Sequence, residues 1–365
     1  MKNKALIAVA GAGKTQGIVE NFADTEKRTL FITFTGTGQQ ELKSRLATAS
    51  PSAGHEVVGW YTFLIEHFLK PFIPDYLGSG ARYVGFSRDY RPERWDRGQR
   101  KHFDAEGRVG GQSVAFVSKN ICDANQKLPI SRLEMISDQI IIDEVQDLAG
   151  NDLVILEYLL QSTISVFMVG DMRQTVFETT TSDRKYPKYR GAAKLGWFQS
   201  MCNKGFLELE FDSVNRRCHE RIVRLSNLVF KREFEFPEAI SAHFESGIGF
   251  GLHHVAPDQV LKYCQEFRPL VLRWSRASGK DWDQYLDFDT FGNVKGRTVD
   301  HVLIFPTRQM EDFLASGAPI QQDQPAAKFY VGITRARHSV GFVLPQSFVF
   351  AETLDPSSFK FWKAD

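Results

Sequence analysis

Residues 4–15 read Lys-Ala-Leu-Ile-Ala-Val-Ala-Gly-Ala-Gly-Lys-Thr. The apolar run 4–10 has the length and composition of a buried strand, and a helical pattern follows from Gln16 to Ala23. Between them stand two glycines, a lysine and a threonine. This order is that of a phosphate-binding loop, with alanine at position 8 where the usual pattern opens with glycine. Gly11 and Gly13 let the backbone fold closely around phosphate oxygens, with N–H groups and the helix N-terminus turned toward negative charge. Lys14 is expected to reach the β- and γ-phosphates and Thr15 to hold Mg²⁺. Gln16, next in the chain, joins the nucleotide-contacting set.

A second element supports the first. Residues 139–142 (QIII) form another buried strand, which delivers Asp143-Glu144-Val145-Gln146-Asp147. Two carboxylates at the C-terminal edge of a strand are what a metal-and-water site beside a nucleotide needs. Asp143 is expected to bind Mg²⁺, and Glu144 to polarise the attacking water as general base. Further strands are expected at 29–34 and 165–169, then at 301–305 and 340–344, with a helix at about 219–230. A helix after the second strand is signalled by the capping-box spacing of Thr37 and Gln40 and by Leu42 and Leu46 on one face. Alternating strands and helices predict α/β architecture with parallel sheets.

Length and composition agree. A chain of 365 residues suggests two domains, and 42% hydrophobic with 24% charged residues is ordinary for a globular protein. The net charge of +1 excludes coating nucleic acid by bulk charge, so such binding would use a local groove. No apolar run approaches the roughly 18 residues of a membrane span. The N-terminus turns glycine-rich too early for a secretory signal. Cys122, Cys202, Cys218 and Cys264 show no close pairing, and a reducing cytoplasm is the expected compartment.

From D-E-V-Q-D onward the chain resembles superfamily 1 helicases of the UvrD/Rep type, over about residues 5–345. V-G-D-M-R-Q at 169–174 is similar to motif III. Asn215, Arg216, Arg217, Ile222 and Asn227 follow motif IV, V-K-G-R-T-V-D at 294–300 follows motif V, and Y-V-G-I-T-R-A-R at 330–337 follows motif VI. T-F-T at 33–35 and Y-T-F at 61–63 resemble DNA-contacting motifs.

The resemblance implies that Gln174 senses the γ-phosphate and that Arg217 and Arg335 stabilise charge on the transferring phosphoryl group. It places Arg216 where the family carries an adenine-stacking aromatic, and Gly296 in the nucleotide-contacting set. Phe34 and Phe63 become stacking platforms for bases, Thr35 and Thr62 phosphate contacts, and Tyr189-Arg190 a further nucleic-acid contact. Motif V departs from the family at Gly292 and Thr298, and a polar stretch (178–188) separates Gln174 from Tyr189-Arg190-Gly191-Ala192.

The implied fold is two RecA-like P-loop domains, 1–205 and 206–365, with 64–130 as a small insertion in the first and motifs IV to VI in the second. Within that interval, residues 82–102 carry seven positive and three negative side chains interleaved with Tyr83, Phe86, Tyr90 and Trp95. The expected activity is ATP-driven, Mg²⁺-dependent 3′–5′ movement on single-stranded or 3′-tailed DNA. The alternative is a DNA-sensing regulatory ATPase subunit that works with a nuclease partner in bacterial defence or repair.

Overall fold

The structure, a computed structural model, describes residues 3–77, 83–180, 183, 185–247 and 249–364. Arg82 of the basic stretch, and Thr181, Ser182 and Arg184 of the polar one, lie outside the described residues. The chain divides into two compact units. One comprises 1–7, 14–172 and 177–210; the other comprises 8–13, 173–176 and 211–365.

The strands of the first sheet and its neighbours are β1 (Lys4–Ala8), β2 (Thr29–Thr33), β3 (Glu56–Gly59), β4 (Gly85–Ser87), β5 (Arg108–Gly110), β6 (Gln139–Ile142), β7 (Ser165–Gly170) and β8 (Glu208–Asp212). Six of them form a sheet in the order β3-β2-β6-β7-β1-β8. The pairs β1–β7, β6–β7, β2–β6 and β2–β3 are parallel. β6 is buried along its whole length, with Ile141 aligned to Phe31 on one side and Phe167 on the other. That explains its uninterrupted apolar sequence, since a strand covered on both faces has no polar alternation. The helices α1 (Lys14–Phe22) and α2 (Gly36–Ala49) seal one face. Ile18 and Val19 pack there with Leu42, Leu46, Phe31 and Ile141.

Two boundaries differ from the sequence reading. β1 ends at Ala8, two residues early, because the chain leaves the strand to form the glycine turn. The cap of α2 is Thr35, whose hydroxyl accepts the Gly38 N–H at 3.0 Å, not Thr37. Thr35 sits extended at φ −102°, ψ 148°, as an N-cap does.

In the expected insertion, β4 and β5 pair with each other in parallel. Around them are α3 (Trp60–Leu64), which runs on into a π turn at 65–69, α4 (Ile73–Leu77), α5 (Val114–Ala124) and α6 (Leu128–Ile136). α7 (Asn151–Leu160) and α8 (Leu195–Asn203) complete this unit's helices.

The second unit carries β9 (Val214–His219) and β10 (Ile240–His243), paired in parallel. Its main sheet has the order β13-β12-β14-β15-β11-β16. The strands are β11 (Gly251–Val255), β12 (Leu270–Arg273), β13 (Phe288–Thr290), β14 (Val299–Ile304), β15 (Ala336–Val343) and β16 (Phe359–Trp362). All of its pairs are parallel. The helices are α9 (Glu220–Asn227), α10 (Val260–Phe267), α11 (Arg308–Ser316) and α12 (Asp323–Ile333). Val255, Tyr263, Val271, Leu303 and Trp362 form part of its core. The expected fold class, two parallel-sheet RecA-like domains, is thus observed. All four cysteines are free thiols. Among the described residues no helix is long and apolar enough to cross a membrane.

Candidate nucleotide site and nucleic-acid face

In the first sheet β1, β7 and β6 lie side by side, so their C-terminal ends open on one edge. Lys14 and Thr15 begin α1 at that edge, Asp143 and Glu144 leave β6, and Asp171 leaves β7. The Thr15 hydroxyl donates to Asp143 Oδ2 at 3.0 Å. The Asp143 N–H is fixed on the Ile32 carbonyl at 2.8 Å, which seats the carboxylate against the sheet edge. Burial pushes the Asp143 carboxyl up to about 7, and the charge of Glu144 adds to this; Thr15 and Lys14 pull the other way. A buried carboxylate of this kind is short of positive charge, and a divalent cation would supply it.

Glu144 occupies the left-handed region at φ 58°. For a residue with a side chain this is a strained conformation, costing on the order of 1–3 kcal/mol, which the surroundings must hold in place. The holding group is Gln146, whose side chain is fully buried. Its amide donates to the Glu144 carboxylate, and its side-chain carbonyl accepts the Asp171 N–H at 3.1 Å. The D-E-x-Q-D pattern contains Gln146, but no local signal announces this bridging part.

In the second unit, Gly11 and Gly13 adopt φ of +71° and +88°. A Cβ at Gly11 would meet Arg217 Cβ at 2.6 Å and Asn215 Oδ1 at 2.7 Å, so only glycine fits there. A Cβ at Gly13 would meet nothing within 4 Å, leaving open space beside the turn. Strand β9 holds this turn: Arg216 N–H donates to the Gly11 carbonyl at 3.0 Å and its guanidinium to the Ala12 carbonyl at 2.7 Å. Buried Asn215 accepts the N–H groups of Arg217 and Cys218 on its Oδ1, which ties these residues of the strand together.

Gly11, Gly13, Arg216, Arg217, His243, Glu245, Thr298, Arg337 and His338 line a cavity of about 500 Å³. His243 and Glu245 were not expected there; they arrive because β10 pairs with β9, which no local motif announces. Gly296 lies on an exposed turn at φ +89°, while Thr298, two residues on, lines the cavity. Gln174 is buried on a turn after β7. Arg335 is 2% exposed, its guanidinium donating to the carbonyls of Val331 and Arg297 at 3.0 and 3.2 Å. Gln16 corrects the expectation for it: its amide is engaged by Glu20 and Arg45 on the outer face of α1.

The expected nucleic-acid contacts separate. Phe63 is fully buried against Trp60 and Phe68 and presents no ring face to a base. Trp60 and Phe63 are three residues apart on α3 and share its inward side. Tyr61 takes the outward place instead, in a half-buried row with Phe34 (6.0 Å) and Phe86 (5.5 Å). Thr62 is exposed beside it, and Thr35 is half-buried at its cap position. Tyr189 is half-buried, with the Lys188 ammonium 4.8 Å from its ring. Arg190 is tied down, donating to Glu178 at 2.9 Å and to the Thr180 carbonyl at 2.7 Å.

Residues 1–180 match the AAA domain family. No curated protein matches the chain significantly. Among solved structures, the helicase of the arterivirus PRRSV is 14% identical over 94% of this chain and 53% of its own, with a TM-score of 0.46. Arterivirus nonstructural protein 10, a helicase, is 15% identical, covering 94% of this chain and 60% of its own at a TM-score of 0.47. Its complex with DNA gives 14% identity, 94% and 61% coverage, and 0.46. The chain therefore spans between half and two thirds of the length of these helicases.

Proposed function

We propose that the protein hydrolyses ATP under the control of nucleic acid and moves 3′ to 5′ along single-stranded DNA, as superfamily 1 motors of the UvrD type do. The observation that carries this reading is the Thr15–Asp143 hydrogen bond with Glu144 next in the chain. It brings a phosphate-loop hydroxyl from one strand end to a carboxylate pair from another.

The residues fit Mg²⁺. Among the described residues no group of three or more His, Cys, Asp and Glu side chains could hold a metal on its own. Mg²⁺ commonly takes one or two protein oxygens and fills its shell with phosphate and water. Thr15 and Asp143 would supply those two oxygens, and the ion would neutralise charge on the β- and γ-phosphates. Lys14 would bind the same phosphates as a point charge. Glu144, aimed by Gln146, would take the proton of the attacking water. Arg217 and Arg335 would meet the charge that develops on the transferred group. Bases would stack on Phe34, Tyr61 and Phe86, with Thr35 and Thr62 at the phosphates.

The test is steady-state ATP hydrolysis by the purified chain with 3′-tailed, 5′-tailed and blunt DNA, at two salt concentrations. Stimulation greatest with 3′-tailed DNA is expected. Equal rates on every DNA and without DNA would overturn the motor reading. Gly292 and Thr298, at motif V positions where the resemblance implies histidine and glutamate, favour a second reading. In it the chain is a regulatory ATPase subunit that gates a nuclease. Nucleotide binding with turnover only in the presence of a co-purified nuclease would select that reading.

A further inference from the structure

The first unit buries a lysine that the hydrolytic chemistry does not use. Lys194, on the turn Gly191–Lys194 before α8, has no exposed surface. Lysine is almost never fully buried unless it is paired. Its ammonium donates to the backbone carbonyl of Gln146 and faces the Glu178 carboxylate at 3.4 Å. Glu178 in turn accepts from Arg190 at 2.9 Å and from the Gly191 N–H at 3.0 Å. Gln146 reaches Glu144 from its other end. Five groups therefore form one continuous chain: Glu144, Gln146, Lys194, Glu178 and Arg190.

Charge and burial are consistent with a built device. Burial pushes the Lys194 ammonium below its ordinary value, while Glu178, Asp147 and Asp152 oppose that shift. Burial pushes Glu178 up, but Lys194, the Gly191 N–H and Arg190 bring it net below the ordinary carboxylate range. The pair sits directly behind a turn whose first residue, Glu144, is held in the left-handed region. Such a conformation persists only where neighbours over-determine it.

We propose that Lys194 and Glu178 are a positioning pair for the general base. Lys194 clamps the Gln146 backbone so that the Gln146 amide keeps Glu144 aimed, and Glu178 ties that clamp to the loop bearing Tyr189 and Arg190. Neither residue touches the reacting atoms. The inference rests on the hydrolytic reading of Glu144.

The test uses the full chain with Lys194→Met, Lys194→Gln and Glu178→Gln. Hydrolysis is measured with saturating single-stranded DNA, and backbone amide exchange is followed at Asp147 and Leu148. Lys194→Met is expected to lower kcat by about 10- to 100-fold, the usual cost of losing an outer-shell partner, with KM for ATP within about threefold. Exchange at Asp147 and Leu148 is expected to rise. Lys194→Gln keeps a donor for the Gln146 carbonyl and recovers part of both. A folded Lys194→Met protein with wild-type kcat and wild-type exchange overturns the proposal. So does a Gln variant no better than the Met one. If Lys194→Met does not fold, Glu178→Gln, of equal volume, carries the same test, and unchanged exchange at 147–148 counts against the pair. A wild-type chain without turnover would sink the hydrolytic reading alone, since the exchange experiment still decides the positioning.

Discussion

Two regions of the first unit carry comparable densities of charge and treat them in opposite ways. In the turn 143–147 and its surroundings, Asp143, Asp147, Asp152 and Lys194 are buried and Glu178 is mostly so. Asp152 alone accepts from Trp60 at 2.5 Å, from the Thr179 hydroxyl and from the Ala149 N–H. In the segment 83–102, Arg88, Arg91, Arg94, Arg97 and Arg100 are exposed. Among the described residues, Arg91 and Arg97 bond to carbonyls of their own or neighbouring turns. Buried charges are held in one geometry because leaving any of them unpaired is costly. Exposed arginines keep their hydration and their freedom, which suits contacts with a flexible polyanion. The first region locks its charges into one geometry, and the second leaves them at the surface.

That contrast can be broken by substitution, and the largest effects belong to the buried side. Thr15→Ala or Asp143→Asn should lower ATP turnover by about a thousandfold or more while the fold remains, because each removes an oxygen that the proposed mechanism sets at the metal and the phosphates. A rate within about tenfold of wild type would detach this corner from the chemistry. Next is Asp152→Ala. It strands the Trp60 N–H, the Thr179 hydroxyl and the Ala149 N–H in a dry interior, and a loss of about 2–4 kcal/mol in denaturant unfolding is expected. A loss below about 0.5 kcal/mol would mean that the network is not a unit.

The third effect depends on pH. Burial, with the charge of Glu144 beside it, raises the folded Asp143 carboxyl toward about 7, above its ordinary 3.8. Between those values the folded state holds a proton that the unfolded state has released, so wild-type stability falls as pH rises through this window and is flat above it. Asp143→Asn has no such proton. Without nucleotide or metal it should gain on wild type from about pH 4 to 7, by on the order of 2 kcal/mol, and keep that gain above pH 7. Parallel melting curves for the two proteins across this range would contradict the burial of a charge there. Asp152, pushed up to about 6 by burial, titrates in both proteins and cancels in the comparison.

The smallest effects belong to the exposed segment. Arg94→Ala with Arg97→Ala should change stability by less than about 0.5 kcal/mol. Affinity for single-stranded DNA should fall, and the slope of log affinity against log salt should drop by about 1 to 2. An unchanged salt slope would remove the segment from the nucleic-acid surface.

The same contrast decides what could be read in the sequence. The strand ends with their glycines, Lys14, Thr15, Asp143 and Glu144 are legible because local order and composition specify them. So is the burial of Leu42 and Leu46, which follows from helical spacing. Phe63 is buried where the resemblance implies a stacking platform, because about half a helical turn decides whether 61 or 63 faces outward, and the buried Trp60 sets that phase. Thr35 rather than Thr37 caps α2 because the strand ends one residue sooner than its apolar run. Lys194 had no signal at all. Its partners lie 16 and 48 residues away, and only the packing of the loop 178–194 against the turn after β6 brings them together. His243 and Glu245 entered the cavity by strand pairing, which is equally non-local.

The most direct measurement of the central claim is Glu144→Gln, assayed for ATP hydrolysis and for nucleotide binding on the same preparation. Losing a general base costs about 10²- to 10⁴-fold in rate. A chain that binds ATP as tightly as wild type while turnover falls by that factor is the predicted result. An unchanged hydrolysis rate would contradict it and would place the chemistry elsewhere than the corner formed by Thr15, Asp143 and Glu144.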